Sequence, residues 1–296
     1  MSINLIVLVK QVPDTKNITA KAMKDDGTVN RAALPAIFNP EDLNALELAL
    51  DIKDRYNGNV TVITMGPPRA ANILRETLFR GADRCILVTD RAFAGADTLA
   101  TSYTLAQAIK KIGNYDLILC GRQAIDGDTA QIGPQVAEKI GVNQITYVHK
   151  IHEIRNDRVL LSRNLGRIME KIETGLPLLI TVPASANQPR SYGAKLMMRF
   201  KRARTRLEVE AENDKDNLPA IAAACESLAN RGLLIETWSA ADLDADPVDI
   251  GLRGSPTKVK KVQSVVFAAT ETRKVDPTET GIRQLMAELI EERTFG

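Results

Sequence analysis

The sequence predicts an α/β fold: a doubly wound, mostly parallel sheet with an antiparallel extension and a C-terminal helical arm. Three observations carry this expectation. Over roughly the first 140 residues short apolar runs alternate with amphipathic segments of helical period, an order that calls for right-handed crossovers between parallel strands. The runs are continuous rather than alternating, as strands covered on both faces require. Beyond them come strand-like pieces joined by turn residues, which mark antiparallel pairing.

In chain order, Ile3 to Val9 reads as a buried first strand, ending at Lys10-Gln11-Val12-Pro13. A polar excursion to about Arg31, with the turn signal Asp25-Asp26-Gly27, reads as a surface hairpin. Asn39-Pro40-Glu41-Asp42 is a helix start, with Asn39 as cap, Pro40 at the first helical position and two acids on the positive end. Leu43, Leu46, Leu50 and Tyr56 mark that helix's buried face. Val60 to Met65 is the second strand, and Gly66-Pro67-Pro68 leads into a helix through Ile73, Leu74 and Leu78 that stops near Gly81. Arg84 to Val88 is the third strand, and Asp97 caps a helix through Leu105 and Ile109 to Gly113. Leu117 to Cys120 is the fourth strand. Thr129 is the expected cap of the next helix, marked by Val136, Ala137 and Ile140 and stopped by Gly141.

Gln144 to Val148, Val159 to Arg163 and Leu178 to Val182 are strand-like, with Asn156-Asp157 as a hairpin turn. Ala194 to Arg206 reads as a basic helix, Leu218 to Leu228 as an apolar-striped helix ending at Gly232, and Leu233 to Trp238 as a strand. Pro247 to Lys261 holds little to bury. Ile282, Leu285, Met286, Leu289 and Ile290 form a last amphipathic helix.

The 296 residues are 44% hydrophobic and 26% charged, and 39 basic residues against 37 acidic ones leave a net charge of +2. That balance excludes a global field that would recruit nucleic acid or a membrane surface. No apolar run approaches about 18 residues and no basic leader opens the chain, so a cytoplasmic, non-transmembrane protein is expected. Cys85, Cys120 and Cys225 read as small core residues rather than disulfides or metal ligands. His149 and His152 read as structural. Arg199, Lys201, Arg202, Arg204 and Arg206 lack interleaved aromatics, which leaves a solvated face or a protein partner.

The loop from Gly121 to Ile132 lies at the carboxyl end of a strand, where open α/β sheets bind ligands. The first turn of the following helix suits a phosphate or pyrophosphate, and Gly127 and Gly133 are expected to let backbone approach it. Neither a G-x-G-x-x-G after a strand nor a G-x-x-x-x-G-K-[ST] run occurs, so pattern alone reads as the ligand loop of an α/β domain.

Six short motifs occur in order over residues 1 to 205: Val9-Lys10-Gln11-Val12-Pro13, Asn39-Pro40-Glu41-Asp42, Met65-Gly66-Pro67, Gly81-Ala82-Asp83-Arg84, Gly121-Arg122-Gln123-Ala124-Ile125-Asp126 and Asn187-Gln188-Pro189-Arg190. Together they resemble the β subunit of the electron transfer flavoprotein family. The resemblance implies a fold like the adenine nucleotide alpha hydrolases and a heterodimer with an α subunit that holds an FAD. It also implies a nucleotide in this chain. Housekeeping members hold AMP and shuttle single electrons from acyl-CoA dehydrogenases. Electron-bifurcating members hold a second FAD that accepts a hydride from NADH. One electron then passes to a low-potential acceptor, ferredoxin or flavodoxin, and the other through the α-subunit FAD to a flavin-containing dehydrogenase or quinone oxidoreductase. After the shared Ala-Ile-Asp, this chain's Gly127-Asp128-Thr129-Ala130-Gln131 resembles the bifurcating group, and its small residues leave room for a longer ligand.

Carried over by position, Leu8 and Met65 would give the nucleotide apolar contacts, with Gly66 beside them. Asn39 and Gln123 would meet adenine or ribose, flanked by Pro40, Glu41 and Asp42. Gly121, Arg122, Ala124, Ile125, Asp126, Gly127, Ala130 and Ile132 would line the site, Asp128 would orient the loop, and Thr129 and Gln131 would give N–H and side-chain donors to phosphate. No catalytic or metal-binding residue is expected. Residues 187–204 match the family's partner-recognition loop and helix, with Pro189 and Arg190 in the loop. Ala194, Leu196 and Met197 would be the apolar anchors, and Arg199, Lys201 and Arg202 the basic face. Residues 1–186 would be the nucleotide domain and 205–296 an extension packing on the α subunit. In that extension Gly251-Leu252-Arg253-Gly254-Ser255-Pro256 and the last helix resemble tails of members linked to quinone reductases. A non-redox, stress-type nucleotide module is the reading from another class.

Overall fold

The computed structural model describes residues 2–14, 34–214, 217–257 and 274–291. The chain begins with β1 (Asn4–Leu8), β2 (Gln11–Pro13) and β3 (Ala36–Phe38), followed by α1 (Pro40–Tyr56) and β4 (Asn59–Met65). Next come α2 (Ala71–Arg80), β5 (Arg84–Val88), α3 (Thr98–Ile112), β6 (Leu117–Gly121) and α4 (Ile132–Ile140). The middle holds β7 (Asn143–Ile145), β8 (Val148–Arg155), β9 (Arg158–Asn164), β10 (Met169–Gly175) and β11 (Leu178–Val182). The remainder is α5 (Ala194–Phe200), β12 (Arg204–Thr205), α6 (Arg206–Glu212), α7 (Leu218–Asn230), β13 (Leu234–Trp238) and α8 (Glu279–Glu291).

The main sheet has eight strands in the order β12-β13-β5-β4-β1-β6-β11-β7, and each neighbouring pair is parallel. Both faces are covered. One core holds Leu46, Leu50, Ile73 and Leu74 from α1 and α2 against Leu5, Val62 and Leu119. The other sets Leu105, Ile109 and Val136 from α3 and α4 against Ile6, Ile63 and Ile118. The chain leaves β1 toward β4 and β5, then returns to the other side of β1 at β6. The strand order therefore reverses between β1 and β6, and it is outside the carboxyl ends of strands at such a reversal that open α/β sheets bind ligands.

The α/β class, the parallel core and the amphipathic helices are as the sequence predicts, and several details differ. Leu178–Val182 pairs in parallel with β6 inside the main sheet. The antiparallel extension is a separate three-stranded sheet, β10-β9-β8, its β8–β9 turn formed by Asn156 and Asp157 at φ 47° and 60°. β2 and β3 form a two-stranded ribbon, whereas the Asp25-Asp26-Gly27 turn lies outside the described residues. The basic helix stops at Phe200 rather than Arg206. Arg204 and Thr205 instead pair with β13, which itself joins β5 in the main sheet.

The compact unit containing the sheet runs to Lys260, and a second unit spans Lys261–Gly296. Residues 205–257 thus belong with the sheet rather than with an arm. The segment after Pro247 also has something to bury: Ile250 is 4% exposed, and Ser255 accepts the Asp97 amide at 2.8 Å while donating to the Gly251 carbonyl. α8, in the second unit, carries the expected amphipathic stripe. No described helix is long and apolar enough to cross a membrane.

Candidate functional site

The loop at the β1–β6 reversal is organised by Asn39 and the first turn of α1. Asn39 does not cap that helix with its side chain. Its Nδ2 donates to the Gln123 carbonyl at 2.9 Å and its Oδ1 accepts the Ile125 amide at 3.1 Å. Glu41 accepts the Gln123 amide at 3.0 Å and grips the Arg122 guanidinium through two bonds of 3.2 and 2.8 Å. That grip holds Arg122 charged, above its ordinary value. Asp42 accepts the Lys10 amide at 2.8 Å and the Gly121 amide at 3.0 Å, so one carboxylate spans the ends of β1 and β6. A Cβ on Gly121 would collide with that carboxylate. The Lys10 ammonium closes the arrangement from outside, 2.7 and 2.8 Å from the two Asp126 oxygens.

Asn39, Glu41 and Asp42 are all buried, and their polar atoms point at the loop, not into open space. The motif signal alone could not separate helix capping from loop holding, because the same residue types serve both.

The tip of the loop behaves differently. Gly127, Asp128 and Thr129 are exposed, and a Cβ on Gly127 would meet nothing within 4 Å. Asp128 and Ala130 sit at φ 48° and 53°, a left-handed conformation that non-glycine residues adopt at a cost. Asp128 accepts from Gln123 Nε2 at 2.7 Å, the loop-orienting role expected of it, and that bond turns Gln123 toward the tip. The amides of Thr129, Ala130 and Ile132 have no protein acceptor among the described residues. Left-handed residues followed by open amides at a helix start form a concavity for an anion.

Two expectations are corrected here. Thr129 does not cap α4, which begins at Ile132 after Gln131 with no side-chain cap. Instead Gln131 accepts a hydrogen bond from Thr98 at 2.9 Å, joining the tip to the start of α3. Gly133 does not admit a ligand, since its would-be Cβ lies 2.7 Å from Thr181 Cγ2 and 2.9 Å from Cys120 Sγ. It lets α4 settle on β6 and β11.

Leu8 and Met65 end β1 and β4 on the face covered by α3 and α4, Leu8 buried and Met65 partly so. Gly66 follows, its amide bonded to the Val88 carbonyl at 3.0 Å. The fold thus brings Leu8, Met65, Gly66, Asn39 to Asp42 and Gly121 to Ile132 to the same end of the sheet. Lys10 and Thr98 also belong to this neighbourhood. Lys10 lies in the first of the six motifs with no site role assigned to it, and the only sequence signal of Thr98 is its position at the start of α3. Cys120 beneath the loop is a buried thiol pushed up by burial and then by the Asp42 charge. No group of acids, histidines and cysteines among the described residues is spaced to hold a metal.

The 187–201 segment lies elsewhere, along α1 and α2 toward the amino ends of the strands. Asn44 and Asn187 exchange hydrogen bonds of 2.8 and 3.0 Å, and Arg190 bonds Glu47 and Asp54. Tyr192 donates to Glu76 at 2.7 Å with Arg80 stacked 4.1 Å over its ring. Pro189 is partly covered, Ala194, Met197, Arg199 and Lys201 are exposed, and Leu196 turns inward against the core. Leu196 is therefore not an outward anchor. Met198, 64% exposed, takes that place on the surface.

Residues 26–217 match the family model described as "Electron transfer flavoprotein domain". The chain is 43% identical to the electron transfer flavoprotein subunit beta of Clostridium acetobutylicum, over 87% of this chain and 86% of that one. It is 39% identical to Protein FixA of Bradyrhizobium diazoefficiens, over 95% and 89%. To the caffeyl-CoA reductase-Etf complex subunit CarD of Acetobacterium woodii it is 41% identical, over 86% and 85%.

Proposed function

The chain belongs to the electron transfer flavoprotein family, and we propose that it is the β subunit of a heterodimer with an electron transfer flavoprotein α subunit, holding FAD at the β1–β6 reversal. The observation that carries this reading is the pairing of a loop floor fixed by α1 with an open tip in which the Thr129, Ala130 and Ile132 amides have no protein acceptor among the described residues. The residues fit an extended dinucleotide: Gly127 leaves space beside the tip, and Thr129, Ala130 and Ile132 offer N–H groups to phosphates at a helix start. Leu8 and Met65 supply the apolar wall. Asp126 and Asp128 are both engaged by protein donors, Lys10 and Gln123, which lowers their repulsion of a pyrophosphate.

Bound FAD would accept a hydride from NADH and pass its two electrons singly to acceptors of different potential. The protein's share is to fix the ligand, exclude water from its buried side and leave the outer side open. The high-potential acceptor on this reading is a flavin-containing dehydrogenase or quinone oxidoreductase, reached through the α-subunit FAD, and the low-potential one is ferredoxin or flavodoxin. Support for a dehydrogenase or reductase comes from the relative named for a caffeyl-CoA reductase complex. The Ala194, Met197, Met198, Arg199 and Lys201 surface would meet that partner.

The test is to co-express the chain with its α subunit, release the nucleotides by denaturation and count them. Two FAD per heterodimer and no AMP is the expected result. One FAD and one AMP would replace bifurcation with a single-electron shuttle, and no nucleotide beyond the α-subunit FAD would remove the site altogether.

A further inference from the structure

Asp42 occupies an unusual position for a carboxylate. It is 7% exposed and sits where the strand order reverses, the one place at which the carboxyl ends of β1 and β6 diverge. It takes an amide from each of them, from Lys10 and from Gly121. Gly121 is the first residue of the loop, and the floor that follows is held by the neighbouring Glu41 and Asn39. An asparagine carries a donor on one of its two terminal atoms and can accept only one of the two amides, and a protonated acid keeps only the weaker acceptor of its hydroxyl oxygen for one of them. The absence of a side chain at Gly121 leaves just enough room for the carboxylate and for the α1 backbone.

We infer that Asp42 is the positioning residue of the site: its ionised carboxylate, without touching the nucleotide, holds the β6 loop in the shape that binds it. The nucleotide part of this inference rests on the proposed function, whereas the loop-holding part does not. Burial works against the charged form and pushes the Asp42 carboxyl up to about 7 from an ordinary 3.8, with hydrogen bonds from Asn39, Lys10 and Gly121 opposing it. The charged and titratable groups around it are the Lys10 ammonium at the end of β1, Glu41 with its partner Arg122, Asp126 in the loop and the neutral Cys120 thiol on β6.

Two consequences have opposite signs. Because the folded-state value exceeds the unfolded one, the fold binds the proton more tightly, and this group adds stability as pH falls from about 7 toward 3.8. Loop holding requires the ionised form, so it weakens over the same fall. An ordinary structural acid, paired and depressed, would lose stability and binding together.

The experiment uses the heterodimer with the α subunit. In the wild type, protection of the Gly121 and Lys10 amides against hydrogen exchange, corrected for intrinsic rate, should drop between pH 8 and pH 6 while the melting temperature does not. In Asp42→Asn, at least one of the two amides should exchange at least about tenfold faster at pH 8, and FAD added back to the deflavinated complex should bind about tenfold more weakly, with a flat pH profile. Unchanged protection in the variant, or wild-type protection that does not vary with pH, overturns the inference. Should Asp42→Asn fail to fold, the wild-type pH series decides alone. Should the wild type prove to hold no nucleotide in this chain, the proposed function falls while the exchange result still decides the role of Asp42.

Discussion

The two halves of one twelve-residue connection, Gly121–Asp126 and Gly127–Ile132, are built on opposite principles. In the first half the Gly121 and Gln123 amides each meet a buried side chain of α1, and the Ile125 amide meets that of Asn39 just before it. In the second half two non-glycine residues adopt left-handed conformations and several amides meet no protein group among the described residues. The contrast teaches that residues of one motif divide into those that hold the site and those that face its ligand. Loops that carry function on a rigid scaffold are expected to divide in this way.

The largest effect should come from breaking the held half. Gly121→Ala puts a methyl group into the α1 backbone, 2.7 Å from the Asp42 amide nitrogen. It should cost about 3 kcal/mol, read from the urea midpoint of the heterodimer. Glu41→Gln keeps the shape but removes the charge that faces Arg122 and the Gln123 amide, and should cost about 2 kcal/mol in the same assay. A loss as large from Gly127→Ala would erase the distinction between the halves. With open space around its Cβ, that substitution should leave stability within about 0.5 kcal/mol while lowering the FAD retained per heterodimer. The smallest effect belongs to Asp128→Gly. Relief at φ 48° offsets the loss of an exposed bond to Gln123, so stability should again stay within about 0.5 kcal/mol. A larger loss would mean that the tip is held after all.

Much of this fold was legible because its signals are local. Continuous apolar runs, the Asp97 cap and the glycines at 81, 113 and 141 mark elements that the structure reproduces. What was not legible depends on partners distant in sequence. Asn39 reads as a cap because asparagine caps helices, yet its bonds run to residues 84 and 86 positions away. Gly133 reads as a ligand contact, and only the packing of α4 on β6 and β11 reveals its neighbours. Arg199 to Arg206 carry helix-compatible residues, but Ala203 is fully buried and β12 pairs with a strand some thirty residues later. For the site, motifs located the end of the sheet and most of the loop. They could not say which side chains face outward.

The sheet's two outermost strands have a further bearing. β12 contributes two residues and β7 three, so each rim of an eight-stranded parallel sheet offers only a few rungs for a foreign strand. Blunt rims of this kind deter edge-to-edge stacking between copies. A broad, strongly hydrophobic sheet that would otherwise be a template for aggregation can therefore remain a discrete building block while it waits for its proper companion.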